Sequence, residues 1–547
     1  GRCPQSPFAR PTKESILKTI QLYDATLRDG MQGEGMSLSA EEKLRVAHKL
    51  DELGIHLIEA GFPASNPKER ELFELLDRET FDQAEIAAFG MTRRRDTRAQ
   101  DDPGLRVLAE CGAPVCTLVG KTWTLHLEKV VRVDREENLR MIGESIAFLV
   151  AQGKRVIYDA EHFFDGWRAD THYARACLSV AAEAGAETVV LCDTNGSSLP
   201  SQVALATRDA VGTLDGSLRI GIHAHNDAEC GVANSLAAVE VGATQVQATM
   251  NGCGERTGNA NLVSIIANLQ LKLDRRCLTD AQLSRLTETA HFVDELLNFT
   301  PNPNQAYVGR NAFAHKGGLH VAGVRADAAT FEHVDPAVVG NHRELLMSEL
   351  AGRGTVLEKA QAADLDLDAD AVDRVLERVK ALEHGGYQFE AADASLELLM
   401  RRESGVYEQL FRLESWRVIV EKHADGQVAT EATIKIWGPD GKRYVRTAEG
   451  DGPVNALDRA LRAALGDVHP HLHDIKLVNY KVRILDEAKG TDAVTRVLID
   501  ASDGHDVWGS IGVSENLIAA SWEALVDSIE YGMQPGRAPT EPAVREG

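Results

Sequence analysis

The sequence predicts an α/β chain: a (β/α)8 barrel, a helical connector, and an α+β C-terminal domain built from two βββα units. Three observations predict it. Over the first half, eight short β-rich runs alternate with helix-length amphipathic segments, and eight such units in about 250 residues is the signature length of a closed barrel. Polar, chemically capable residues fall at the carboxyl end of nearly every run. Near the end of the chain, a pattern of three strands and one helix occurs twice. A doubly wound open sheet is the competing architecture for the first half, and eight units favour closure.

The runs are, in order, "TIQLYDATLRDG", "HLIEAGFP", "AEIAAFGMT", "PVCTLVGKT", "RVIYDAEHFF", "ETVVLCDTNG", "LRIGIHAHND" and "TQVQATMNGCGE". Between them, "SAEEKLRVAHKLDELG" and "REENLRMIGESIAFLVAQG" carry apolar residues at helical spacing and stop at glycine, as helices do. After about residue 276 come helical segments and polar loops, including "NPNQAYVGRNAFAHKGGLHVAG" and "DLDLDADAVDRVLERVKALEHGG". The closing units are "WRVIVEKH", "ATEATIKIWG", "GKRYVRTAEG", "PVNALDRALRAALG" and then "KLVNYKVRIL", "AVTRVLIDAS", "HDVWGSIGV", "ENLIAASWEALVDSIEYG". The expected limits are 17–275 for the barrel, 276–408 for the connector and 409–535 for the C-terminal domain. That last part carries no cluster of His, Cys and carboxylates, which points to ligand sensing or dimerisation rather than catalysis.

Composition narrows the class. With 547 residues, 44% hydrophobic and 26% charged, the chain has enough apolar material for several packed cores. Its formal charge of −24 opposes nucleic acid and anionic membranes, so an anionic ligand must be met by a local cationic pocket. No apolar stretch reaches the roughly 18 residues that span a bilayer, and the opening residues lack the apolar core of a signal peptide. A cytoplasmic protein is expected. The eight cysteines lie at or before Cys277 without CxxC spacing and read as reduced, buried thiols.

At the barrel mouth, "HAHND" places His223 and His225 two apart on a strand, so both face the same way. A lone histidine is more often a satisfied core residue. Here Asp29 ends the first strand, and Asn259 follows the glycine-rich "NGCGERTGNAN" after the eighth, adding hard oxygen donors at the same rim. Two imidazoles and two oxygens, with room for a ligand, suit Mg2+, Mn2+ or Zn2+ better than a closed thiolate site. "TLRDGMQGEGMSLS" reads either as a plain turn or as a site where Arg28 supplies a cation beside Asp29. Glu161, in "YDAEHFF", is either an acid–base group raised by desolvation or a partner of a His or Arg. Thr194, in "CDTNG", is a helix N-cap, a donor to a substrate carboxylate, or both. "HKGGLH", with His315 and His320, is either a surface loop or a lid with glycine flanks.

These residues resemble a known group, the metal-dependent acyl-CoA Claisen-condensation enzymes that include isopropylmalate, homocitrate and citramalate synthases. "LYDATLRDGMQGEGMSLS", "IEAGFPASNPKE", the stretch from "IGIHAHND" to "GERTGNANL" and "FAHKGGLHVAGV" are similar to its motifs in the family's order, and the C-terminal repeat resembles its allosteric domain. "VIYDAEHFFDGW", "VLCDTNG", "EHVDPAVVGNHRELLMSELAGRG" and "GDGPVNALDRALR" are similar to the long bacterial branch that makes citramalate.

The resemblance implies condensation of acetyl-CoA with pyruvate, then thioester hydrolysis, in a route to isoleucine. It implies a divalent metal on Asp29, His223, His225 and Asn259, with Arg28 stabilising charge on the acceptor's carbonyl oxygen and Thr194 binding substrate. His320 with Glu161 would move the proton of the acetyl methyl or activate water, the lid coming from a neighbouring subunit of a homodimer. Isoleucine is the implied effector. Two positions depart from relatives: Ala322 stands where isopropylmalate synthases usually have Asp, and Phe331 where relatives often have Tyr. The alternatives are a 2-isopropylmalate synthase using 2-oxoisovalerate, a hydroxymethylglutaryl-CoA lyase-like enzyme, which would lack the long C-terminal repeat, and a catalytically silent sensor.

Overall fold

The structure, a computed structural model, describes residues 19–534 except 217, 467, 468 and 486. Cys3, the opening residues and the expected domain limits at 17 and 535 lie outside the described residues. By their internal contacts the residues form two compact units. One takes the chain to Phe313 together with Glu332–Arg343, the other Ala314–Phe331 and the chain from Glu344 onward.

All eight expected strands form: β1 (Gln21–Asp24), β2 (Leu57–Gly61), β3 (Glu85–Met91), β4 (Val115–Lys121), β5 (Arg155–Glu161), β6 (Thr188–Asp193), β7 (Arg219–Ala224) and β8 (Gln245–Ala248). They pair in parallel in chain order and close, β1 onto β8 with Leu22 opposite Val246. The barrel is therefore closed, and the open sheet is excluded. The helices between them start and stop where the sequence punctuates. Ser39 and Glu42 form a reciprocal capping box at the start of Ala40–Leu53, and Gly54 ends that helix at φ +96°, a conformation suited to glycine.

Inside the barrel, Tyr23, Leu57, Ala87, Val115, Ile157 and Val190 form the buried floor. Because strand side chains alternate, residues two, four and six steps further along these strands, among them Glu59, Phe89, Val119, Lys121, Asp159, Glu161 and Cys192, point into the same interior nearer its mouth. One periodicity thus builds an apolar plug below and a polar cup above.

In the second unit, β9 (Ala314–His315) and β10 (Glu344–Leu345) form a short parallel pair. β11 (Arg412–Lys422), β12 (Val428–Trp437) and β13 (Arg443–Gly450) make one antiparallel sheet, with helix Pro453–Leu465 after it. β14 (Lys476–Ile484), β15 (Thr495–Ser502) and β16 (Val507–Ser514) make another, followed by helix Leu517–Gly532. Both expected βββα units are present. They share one core, in which Ile434, Leu457, Leu461, Ile499 and Leu525 are buried together. "GGLH" is not a loop: Gly318–Ala326 is helical, capped at Gly317. The seven cysteines among the described residues are unpaired, and no helix among those residues is long and apolar enough to cross a membrane.

Candidate active site

At the barrel mouth a cavity of about 310 Å3 is lined by Arg28, Asp29, Asp159, Glu161, Thr194, His223 and His225, among others. The turn after β1 aims the first two. Asp24 accepts from the backbone N–H and hydroxyl of Thr26, and Asp29 and Gly30 both donate their N–H to the carbonyl of Ala25, so the chain reverses tightly and leaves Arg28 and Asp29 at the rim.

Asp29 Oδ2 is the centre of the group. His223 Nε2 lies 3.1 Å from it, His225 Nε2 3.9 Å and Asn259 Nδ2 2.9 Å. The two imidazole Nε2 atoms are 3.4 Å apart. All four residues are buried, and Asn259 Oδ1 has no hydrogen-bond partner. Gly254 lets Asn259 in: a Cβ there would lie 2.1 Å from Asn259 Oδ1, and its φ is +157°, so only glycine serves. Two imidazole nitrogens turned toward each other and toward a carboxylate, with an orphaned amide oxygen beside them, are the donor set of a divalent-cation site. The Asn259 amide, turned over, presents Oδ1 to that centre in place of Nδ2.

Electrostatics agree. Burial pushes the Asp29 carboxyl up, but Arg28 and the two histidines outweigh it and hold the group well below the usual carboxylate range. Burial, and then His223, push His225 down to about 4, which leaves the neutral imidazole that metals bind. Burial would lower His223 as well, yet Asp29 raises it above the ordinary histidine value. His223 Nδ1 lies 3.1 Å from Gln247 Oε1, and Gln247 Nε2 donates to Asp159 at 3.1 Å. This chain of partners orients the ring so that Nε2 faces Asp29.

Arg28 is fixed on three sides. Its Nε donates to Glu59 Oε2 at 2.7 Å, its Nη1 lies 3.3 Å from Asp29 Oδ1, and its guanidinium stacks 3.9 Å over the Phe89 ring. Glu59 is itself held by the Tyr23 hydroxyl at 2.8 Å. The guanidinium is therefore a positioned cation rather than a solvated turn residue. Beside it, burial first and Glu59 second push the Asp159 carboxyl up to about 7.

Glu161 has the surroundings of the second reading, a cationic partner, although that partner is a lysine: its carboxylate pairs with Lys121 Nζ, its register neighbour on β4, and His162 Nε2 is 3.9 Å away. Thr194 caps no helix, since the next one, Pro200–Thr213, has Leu199 at its N-cap. Its hydroxyl accepts the backbone N–H of His162 at 2.9 Å, which leaves the hydroxyl proton free to donate into the cavity. His320 belongs to the second unit, exposed on helix Gly318–Ala326, with its ring stacked on Phe331 at 4.2 Å. The sequence reading gave no role to Lys121, Gln247 or Asp159. The i, i+2 alternation from Asp159 to Glu161, and from Val119 to Lys121, would have pointed to two of them.

Residues 19–293 match the family described as HMGL-like, 307–386 a homocitrate synthase post-HMGL domain-like family, and 390–533 the LeuA allosteric (dimerisation) domain. An (R)-citramalate synthase of Streptomyces coelicolor is 47% identical over 96% of this chain and 98% of its own. One from Geobacter sulfurreducens is 48% identical over 94% and 98%. A probable 2-isopropylmalate synthase of Methanopyrus kandleri is 32% identical over 93% and 97%.

Proposed function

The chain belongs to the family of (R)-citramalate synthases, and on that premise we propose that it condenses acetyl-CoA with pyruvate and hydrolyses the thioester, giving (R)-citramalate and free CoA. The observation that carries the chemistry is the convergence of Asp29, His223, His225 and Asn259 beside a fixed guanidinium. A divalent ion, Mg2+, Mn2+ or Zn2+, held by those four side chains would act as a Lewis acid on the keto group of the acceptor.

The chain's own residues do the rest. Arg28 places positive charge where the acceptor's carbonyl oxygen becomes an alkoxide, and its contacts to Glu59 and Phe89 keep it there without reorganisation. Thr194 donates its hydroxyl proton to the acceptor carboxylate. In this proposal Glu161, with Lys121 beside it, takes a proton from the acetyl methyl, and His320 of a second chain completes the proton path when the lid segment closes.

On this reading residues 17–275 are the catalytic domain, 276–408 the connector with the lid, and 409–535 the allosteric and dimerisation domain. A homodimer fits a further observation: Val478, Tyr480, Val482 and Ile484 form an exposed apolar row at alternate positions of β14, the kind of surface a second copy covers. The seven unpaired cysteines among the described residues suit a reducing compartment, the cytoplasm.

Two experiments test substrate and regulation. With a panel of 2-oxo acids, kcat/KM for pyruvate is expected to exceed that for 2-oxoisovalerate by about tenfold or more, since each extra methyl in an apolar wall is worth roughly 1–3 kcal/mol. The reverse preference makes the protein a 2-isopropylmalate synthase. Isoleucine is expected to inhibit with a coupling of about 1–3 kcal/mol, and removal of residues 409–547 is expected to abolish that inhibition while CoA release persists in part. Full inhibition of the truncated chain places the effector elsewhere.

A further inference from the structure

His162 follows Glu161 as the first residue past β5. Neighbours along a strand point to opposite faces, so a regular chain would turn His162 away from Glu161. The backbone prevents this. At His162 it is left-handed, φ +56° and ψ 35°, a conformation that histidine adopts at a cost, and the ring swings back to the side of Glu161. The Thr194 hydroxyl holds the turn by accepting the His162 backbone N–H at 2.9 Å. Although His162 stands at the N-cap of helix Phe163–Ala169, its side chain makes no capping hydrogen bond. Strain of this kind concentrates at active sites, where the surroundings impose it.

The buried ring lies between two carboxylates, one at each nitrogen. Nε2 is 3.9 Å from Glu161 Oε1, and Nδ1 is 3.6 Å from Oδ2 of Asp165, one turn along the helix. Glu161 Oε2 is taken by Lys121, which leaves Oε1 to the imidazole. Asp165 is fixed from behind by Arg168 Nη2 at 2.6 Å and Asn195 Nδ2 at 2.9 Å. Burial raises its carboxyl, but His162 and Arg168 outweigh that and hold it below the usual carboxylate range. Both gaps to the ring are longer than a hydrogen bond, and Nδ1 has no hydrogen-bond partner; catalytic contacts are often long before substrate binds and tighten with it. His126 and Trp123 wall the ring, with centroids 4.1 and 5.8 Å away. Burial first, then His162 and Lys121, keep His126 below the ordinary histidine value, so the wall is an uncharged aromatic surface.

We propose that His162 is a positioning residue for Glu161, anchored by Asp165: the Asp165 carboxylate keeps the ring proton on Nδ1, and Nε2 receives the proton that Glu161 takes from the acetyl methyl. A buried carboxylate behind a histidine sets its tautomer in this way. The inference rests on the acyltransferase reading, with Glu161 as the base. The methyl C–H bond breaks toward Glu161 Oε1 while its electron pair stays on the enolate of the thioester. The carboxyl O–H then breaks as the Nε2–H bond forms. The imidazolium, stabilised between Glu161 and Asp165, yields its proton to water at the cavity mouth, where the side chain is 8% exposed. Glu161 is thereby an anion again for the next turnover.

The test uses the full chain and three variants: H162N, D165N and the two combined. Asparagine tolerates a left-handed backbone and caps helices, so H162N keeps the turn while removing the ring. CoA release is measured beside the kinetic isotope effect on kcat with trideuteroacetyl-CoA. H162N is expected to lower kcat by roughly 10- to 100-fold, less than loss of the base itself. KM for both substrates and metal content should stay as they are, and the isotope effect should grow, because proton removal becomes the slow step. D165N should move the same quantities in the same direction. The double variant should be no slower than H162N alone, since Asp165 acts only through the ring. Native kcat in H162N overturns the inference, as does a fall in kcat with an unchanged isotope effect, or losses that multiply in the double variant. If the native protein releases no CoA with any 2-oxo acid, the acyltransferase reading falls and this inference with it; a native protein that turns over while H162N matches it removes the inference alone.

Discussion

Replacing either His223 or His225 by alanine is expected to lower turnover by about 10^3-fold or more and to strip the protein of its divalent metal, because loss of one imidazole leaves too few ligands and removes Lewis-acid stabilisation worth several kcal/mol. Both side chains lie in the buried polar cup at the end of β7, around Asp29 Oδ2, and neither belongs to the apolar floor that holds the barrel together. The variants should therefore fold. Metal content by elemental analysis, read beside the rate of CoA release, checks the prediction. Native metal content with a near-native rate would remove these histidines from the site.

Arg28→Lys is expected to keep the charge and still lose about 10^2- to 10^3-fold in kcat, the range found when one donor to a developing oxyanion is removed. The reason is geometric. The guanidinium plane stacks on Phe89 at 3.9 Å while Nε reaches Glu59 and Nη1 faces Asp29, and a compact ammonium on a flexible stem cannot satisfy three directions at once. The loss should fall on kcat with little change in metal affinity. Equal kinetics in the two proteins would make Arg28 a structural residue of the turn.

The barrel was legible in the sequence because its punctuation is local. Ser39, Glu42 and Gly54 bound their helix by contacts within one turn, and each strand's run of apolar residues is set by its own burial. The convergence of four side chains was legible for a related reason: His223 and His225 share a face by simple alternation, and barrel closure brings β1 and β8 together, which sets Asp29 and Asn259 beside them.

What escaped was pairing across strands. That Lys121 would meet Glu161 depends on the β4–β5 register, and the link from His223 through Gln247 to Asp159 depends on three strands at once. Composition and periodicity carry no register. "GGLH" read as a loop because glycine is a poor helix former, yet Gly317 and Gly318 stand only at the cap and first position, where the penalty is small.

The most direct measurement of the central claim is CoA and citramalate formation from acetyl-CoA and pyruvate by chelator-treated protein, before and after Mn2+ is restored. No product is expected while the metal is absent, and equimolar CoA and citramalate once about one ion per chain has been taken up. Unchanged product formation in the presence of chelator, with no metal bound, would contradict the claim that Asp29, His223, His225 and Asn259 act through a divalent ion.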